Sequence, residues 1–341
     1  GLASMLILLA IGLIYWHTKT LNIADVKQVM STGFNKPYYV FVQVLLLTGF
    51  GLKAALIPFH AWLPDAHSSA PSPISAMLSG VLIKAVGIYV LIRLFFNMFE
   101  FSQEIGVVII VLGTISMVIG SLVALVQWDV KRLLAYSSIS QMGYVVMAFG
   151  MGIILLVRGD NEPAAILAIA GGVYHMINHS VFKGLLFLNA GALEYRLDTR
   201  DLKQMGGLSK AMPVTSSTSL MASMSISGLP PFNGFFSKLI IIIAAVNGQF
   251  YLLAVLAIVV SIITLAYFLK FQRYAFFNKS PIPSRGEIRD VPFPMTFSMI
   301  VLSILCLALS LLALPSVSEA ILHPAVQVLM QSDLYSTILL P

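Results

Sequence analysis

GLKAALIPFHAWLPDAHSSAPSPISAMLSGVLIKAVGIYVLIRLFF, residues 51–96, decides how the rest of the chain is read. It places Lys53 and Lys84 inside segments otherwise apolar enough to sit in a lipid bilayer. A proline-rich connection carrying His60, Asp65 and His67 joins the two. An ionised side chain at the bilayer centre costs roughly 2.5–3.5 kcal/mol even on insertion scales. A chain that accepts this cost twice within one hairpin uses the charges. Lys183 and Lys238 repeat the pattern further on.

Composition agrees with that placement. Of 341 residues, 58% are hydrophobic and 10% charged, where a soluble domain carries about 25% charged residues. The apolar runs are continuous and about 20 residues or longer, which suits spanning helices and not barrel strands. The fold class is therefore an all-α polytopic membrane protein. The net charge of +6 resides in scattered interhelical loops, as topology requires, so nucleic acid is excluded as a partner. The single cysteine, Cys306, can neither close an intrachain disulfide nor ligate an iron–sulfur cluster, and no cofactor is expected in this chain. Residue 1 is a glycine in a hydrophobic run without a signal-peptide n-region. The chain is accordingly expected to lack N-terminal helices of a longer protein.

About nine transmembrane helices can be read, at roughly 1–17, 37–59, 72–98, 105–127, 133–157, 164–193, 212–247, 249–271 and 293–317. One or two are broken. In the seventh, Gly228-Leu229-Pro230-Pro231-Phe232-Asn233-Gly234 interrupts the apolar run, and two consecutive prolines remove two backbone donors. Such a break is expected in the protein interior, where freed carbonyls find partners. Counted as one crossing, it leaves loops 60–71, 128–132, 194–211 and 270–292 on one side with eleven Lys and Arg. Loops 18–36, 97–104, 158–163 and 246–249 on the other hold four. The HAWLPDAH loop is thus assigned to the cytoplasmic side. Pro58-Phe59 and Pro231-Phe232, each followed by a polar residue, lie beside Lys53 and Lys238 in reversed order, a pattern that a pair of inverted helical repeats produces.

Lys53 and Lys84 lie some 16 and 12 residues into their spans, too deep for snorkelling to an interface. His175, His179 and Lys183 recur at i, i+4 and i+8 and share one helical face, which is a proton-relay geometry. A zinc site is the competing use of two histidines four apart, but no carboxylate occurs within 164–193 to complete it. A bis-histidine haem would need a second histidine from a facing helix, and His17, His60, His67 and His323 all fall in loops or at span ends. Lys238 opens the helix after the Pro-Pro break. The run Tyr136, Ser137, Ser138, Ser140, Gln141 and Tyr144 either glues helices together or lines water. Every Asp and Glu falls in a loop or at a span end, so the buried lysines are neutral at rest or find counter-ions outside the chain.

Five stretches carry a resemblance: residues 51–91, QWDVKRLLAYSSISQMGYV (127–145), HMINHSVFKGLLFLNAGALEY (175–195), TRDLKQMGGL (199–208) and GLPPFNGFFSK (228–238). Together they closely resemble the antiporter-like proton-translocating subunits shared by respiratory complex I, membrane-bound energy-converting hydrogenases and Mrp-type multisubunit cation/proton antiporters. The resemblance runs from about residue 1 to 275, with the motifs in the family's order. It implies a single antiporter-like domain over 1–341, built from two inverted five-helix repeats of a fourteen-helix fold, and beginning here at about the sixth helix. Residues 1–98 would be the remainder of a first half-channel, 105–277 the second, and 293–341 a C-terminal helix and tail without the long lateral helix of one family branch. By the same resemblance, Lys53 matches a broken-helix lysine that pairs with a glutamate on an earlier helix. Lys84 matches the central bridging lysine, His175, His179 and Lys183 the polar central axis, and Lys238 the terminal lysine or glutamate. The FFSK, MINH-x-VFK and GGL segments look closest to the Mrp-like and hydrogenase branches.

The implied function is proton (alternatively sodium) translocation in a multisubunit redox-driven pump of the NADH:quinone oxidoreductase or hydrogenase type, in a prokaryotic cell membrane. The implied partners are neighbouring antiporter-like subunits, the transported ion and lipid. A stand-alone Na+/H+ antiporter complex is the nearest alternative. A haem b-type redox protein, or a scaffold in which Lys84 is dispensable, belongs to other classes.

Overall fold

In the computed structural model, residues 1–31, 36–279 and 288–330 are described. Every element among them is helical apart from one isolated antiparallel bridge between Asp129 and Asp201. In chain order they are α1 (Leu2–Thr18), α2 (Ile23–Ser31), α3 (Lys36–Lys53), α4 (Trp62–Ser69), α5 (Ser72–Asn97), α6 (Gln103–Val126), α7 (Val130–Arg158), α8 (Glu162–Leu197), α9 (Pro213–Ser227), α10 (Asn233–Asn247), α11 (Tyr251–Phe277), α12 (Phe293–Ala313) and α13 (Pro315–Met330).

Helices α5, α6, α7, α8, α11 and α12 are long and apolar enough to cross a membrane, and α1 with α2 forms a bent pair at 63°. These account for six of the expected spans. The remaining stretches are shorter or interrupted, α3 ending at Lys53 and α9 being separated from α10 by the Pro-Pro segment. At 1.5 Å per residue the 36-residue α8 is roughly 54 Å long, against about 30 Å of hydrocarbon, so His175 to Lys183 fall near its midpoint.

Small residues let the central helices meet. On α6, Val107, Val111, Ile115 and Leu122 are exposed, while Gly106, Gly113 and Gly120 at seven-residue intervals face α7. A Cβ on Gly113 would stand 2.4 Å from the Met147 nitrogen, and one on Gly143 2.3 Å from that of Met117. Only glycine permits this approach of backbones. Behind it, nearly every residue of α7 is buried.

The loops gather at two ends. At the basic end, Arg132 pairs with Asp65 at 3.1 Å, Lys131 donates to the Ala70 carbonyl at 3.0 Å, Arg200 donates to the Ser68 carbonyl and Arg196 to that of Asp290. At the other end, the Glu100 N–H donates to Tyr39 Oη at 2.8 Å, Asn97 to the Val328 carbonyl at 3.0 Å and Asn161 to the Asn247 carbonyl at 2.8 Å. The broken pair α9–α10 therefore runs from one end to the other, as a single crossing would. The tail forms a helix that the sequence reading leaves as an extension: α13 packs Val326 and Leu329 into the core shared by α5 and α8. Residues 331–341 of the expected tail lie outside the described residues.

Candidate functional site

Lys84, His175, His179, Lys183 and Lys238 are all buried. Lys84 sits in Leu78–Tyr89, a stretch of α5 wound as a π-helix. Departures of this kind are frequent at functional sites. Its Nζ donates to the Ser79 carbonyl, five residues back. From there a chain of polar groups leads across the helix interface. Ser79 Oγ meets Ser138 Oγ at 2.8 Å, Ser138 donates to the Leu134 carbonyl at 3.0 Å, and Lys183 Nζ donates to that carbonyl at 2.7 Å and also to Ser137 Oγ. Lys84 and Lys183 thus end on one hydrogen-bonded network.

A second, separate arm is centred on His175. His175 bonds Ser237 Oγ through Nδ1 at 2.9 Å and Gln141 Oε1 through Nε2 at 3.1 Å. Ser237 neighbours Lys238, whose Nζ donates to the Ile226 carbonyl at 2.8 Å and to Ser261 Oγ at 3.3 Å, and lies 5.0 Å from the Tyr144 ring centre. Between the arms, His179 is fully buried with neither ring nitrogen hydrogen-bonded to a described residue. It lies within electrostatic range of Lys84, Lys183, His175 and Lys238. Buried polar atoms in folded proteins find protein or water partners.

The break between α9 and α10 supplies this centre with amides. Asn178 and Asn233 exchange hydrogen bonds, Asn178 Nδ2 reaching the Asn233 carbonyl and Asn233 Nδ2 reaching Asn178 Oδ1, both at 3.0 Å. Ser225 Oγ also bonds Asn233 Oδ1. The interior expectation holds for this side of the break but not for the prolines, because Pro230 and Pro231 are exposed. Proline lacks an N–H, so its ring can face outward at no hydrogen-bond cost. The freed carbonyls turn to donors: Ile226 to Lys238, Pro231 to Ser310 Oγ at 2.8 Å.

Lys53 stands apart from this group. It is the last residue of α3 and only half-buried, with no ion pair among the described residues. The depth expected of it assumed a helix continuing to residue 59, but the chain leaves the helix at Ala54 and Ala55.

One residue escaped the sequence reading. His67, counted there as a loop residue, is fully buried and stacks on Phe187 with ring centres 4.6 Å apart; Lys183 Nζ lies 5.8 Å from the same ring. The spacing of seven from His60 gave no sign of this, since the α4 axis depends on how the proline-rich connection folds back. In the polar run of α7, Ser138 and Ser137 join the Lys84–Lys183 network and Gln141 bonds His175, whereas Tyr144 donates to the Ala257 carbonyl at 2.5 Å and Ser140 to the Met117 carbonyl of α6 at 2.8 Å, both serving as glue. Acidic residues stay at the two loop ends; at the basic one, Glu194 pairs with Lys131 at 2.7 Å, and Arg200 with Asp129 at 3.4 Å. Lys131, Glu194 and Arg200 border a cavity of about 940 Å³ open to that face.

The sequence profile described as "NADH:quinone oxidoreductase/Mrp antiporter, TM" matches residues 1–264. NADH-quinone oxidoreductase subunit N of Desulforudis audaxviator is 31% identical over 335 residues, covering 95% of this chain and 64% of the relative. Hydrogenase-4 component B of Escherichia coli is 32% identical, covering 91% and 47%. The chain therefore spans less than two thirds of the length of these curated relatives. Among solved structures, the Mrp complex from Dietzia sp. DQ12-45-1b contains a chain that superposes with a TM-score of 0.85 at 27% identity, covering all of this chain and 68% of that one.

Proposed function

The chain belongs to the NADH:quinone oxidoreductase/Mrp antiporter transmembrane family, and on that basis we propose that it is an ion-translocating subunit of a multisubunit membrane complex, moving protons along its buried lysine–histidine axis. The observation that carries the proposal is the network itself: Lys84 and Lys183 joined through Ser79, Ser138 and the Leu134 carbonyl, with His179 unpartnered among the described residues between them and the His175–Lys238 arm. Amine and imidazole nitrogens accept and release protons, and hydroxyls and water pass them on without net change. Like charges so close together repel, so loading one site disfavours loading its neighbour and a proton pushed in at one end favours release at the other. The same donor set argues for protons over sodium as cargo, since hard alkali and alkaline-earth cations are held by oxygen-rich shells and the axis ends in nitrogens.

Nine spans, with α1, α3 and the α9–α10 pair each counted as one crossing, and two half-channels of inverted topology, complete the proposed architecture. The end carrying Asp65, Arg132 and Arg200 is the cytoplasmic face by its positive charge. Neighbouring membrane subunits are the proposed partners, since redox coupling has to come from outside a chain whose centre offers only proton carriers.

Lys84→Met keeps the length of the side chain and removes the charge, so packing should change little. The complex is expected to assemble while coupled translocation in reconstituted vesicles is abolished. A variant retaining most of the wild-type pumping rate would remove Lys84 from the path and favour a scaffold role.

A further inference from the structure

Helix α12 ends where Pro315 withholds the N–H that a further turn would need, and its last residues, Leu309–Ala313, tighten into a 3₁₀ turn. That turn holds two other elements by hydrogen bonds. Tyr174 Oη of α8 donates to the Leu309 carbonyl at 2.7 Å. Ser310 Oγ donates at 2.8 Å to the Pro231 carbonyl, in the break between α9 and α10. Apolar contacts follow the same lines, since Tyr174 and Leu312 share a small cluster into which Phe236 and Ile240 of α10 pack.

Tyr174 and Phe236 are the residues immediately before His175 and Ser237. The His175 Nδ1–Ser237 Oγ contact of 2.9 Å is therefore made by two side chains whose preceding residues both rest against one turn of a third helix. Consecutive residues on a helix point about 100° apart, so one pair faces α12 while the other pair meets. A half-helix that follows a break lacks the backbone ladder that would lock it to the segment before it. Side chains have to set its place. Plain packing accounts for the ring of Tyr174, which is fully buried, and a hydroxyl inside a span needs an acceptor in any case. It does not explain why that acceptor belongs to the same turn whose next residue, Ser310, bonds the break.

We propose that Tyr174 and Ser310 are positioning residues for proton transfer: through the Leu309–Ala313 turn they hold α10 in register with α8, so that the His175–Ser237 contact forms beside Lys238. This rests on the translocating role proposed for the His175–Lys238 arm. Neither hydroxyl carries the proton. Each acts on the geometry of groups that do, and a misplacement of about 1 Å at such a contact can cost about a hundredfold in rate.

The test uses the assembled complex in vesicles, with pumping rate and melting temperature measured on the same preparations. Tyr174→Phe and Ser310→Ala each remove one hydroxyl and little volume, so assembly should survive. Each should slow pumping by at least about tenfold, within the loss that a small misplacement causes. Ser310→Thr, which keeps the hydroxyl, should recover most of the rate. Ser237→Ala deletes the contact being positioned, so adding Tyr174→Phe to it should cost no more than about a further twofold, as for residues acting through one another. Should Ser310→Ala fail to assemble, Tyr174→Phe alone and combined with Ser237→Ala decides. Wild-type rates in Tyr174→Phe and Ser310→Ala, with Lys238→Met inactive, would overturn the positioning role and leave the translocation role standing. Losses that multiply in full in the double variant, or wild-type pumping by Ser237→Ala, would overturn it too. Normal pumping by Lys238→Met would overturn both.

Discussion

His67 shows how much one side chain depends on its surroundings. It belongs to α4, outside the spans, yet its ring is buried against Phe187, and burial first, then the positive charges of Lys183, Lys84 and Lys131, push its pKa down to about 3. A histidine in an unfolded chain titrates near 6.5. Between about pH 6.5 and pH 3 the unfolded state therefore binds a proton that the folded state refuses, so the folded state loses stability as pH falls through that window and is unaffected above it. His67→Gln should flatten the fall. Thermal unfolding in detergent between pH 4 and 7 measures it, and equal slopes for the two proteins would remove His67 as the source. None of this could be read from the residues alone. The spacing of His175, His179 and Lys183 declares a shared face because a helix has a fixed period, whereas His67 reaches the same region through a connection whose direction no periodicity sets.

At the scale of elements, the breaks matter most. The Pro-Pro interruption was legible because proline removes donors wherever it occurs, and the lysine beyond it does lie at a freed carbonyl. The end of α3 at Lys53 was implied only by the resemblance, which makes Lys53 a broken-helix lysine, since Ala54 and Ala55 are good helix formers and leave the helix only under tertiary control. The π-winding around Lys84 is equally silent in sequence, because it depends on packing against α8, where a Cβ on Gly80 would stand 3.2 Å from the Ser180 carbonyl. The α9–α10 break depends on a closer contact still: a Cβ on Gly234 would stand 1.9 Å from the Ser225 carbonyl. Gly234→Ala must therefore push the two helices apart and disturb Asn233, Ser237 and Lys238. A destabilisation of about 1–3 kcal/mol is expected, as for overpacking elsewhere, together with loss of translocation. Gly12→Ala, where nothing lies within 4 Å, should leave both unchanged. If the two variants melt alike, the break is more plastic than this contact implies.

Across the whole molecule, the charge of the loops and the contacts between them agree. The four loops with eleven basic residues are joined to one another through Arg132–Asp65, Lys131–Ala70, Arg200–Ser68 and Arg196–Asp290. Of the four with fewer, 158–163 and 246–249 meet through Asn161–Asn247, and Glu100 of 97–104 donates to Tyr39 near the start of α3. Loop charge was legible because it follows from residue counts once the spans are placed, and six of the spans are long enough to place by length and hydropathy. The orientation proposed above, with the basic end cytoplasmic, rests on the bias of Lys and Arg. A cysteine at Ser68 or Lys210, in a Cys306→Ala background, should react with an impermeant thiol reagent from the cytoplasmic side. A cysteine at Asp160 should react only from the other. Because Lys210 and Asp160 flank α8, labelling of both from one side would mean that α8 does not cross. Labelling of all three from the reverse sides would keep the architecture and invert the orientation, moving the 940 Å³ cavity to the outer face.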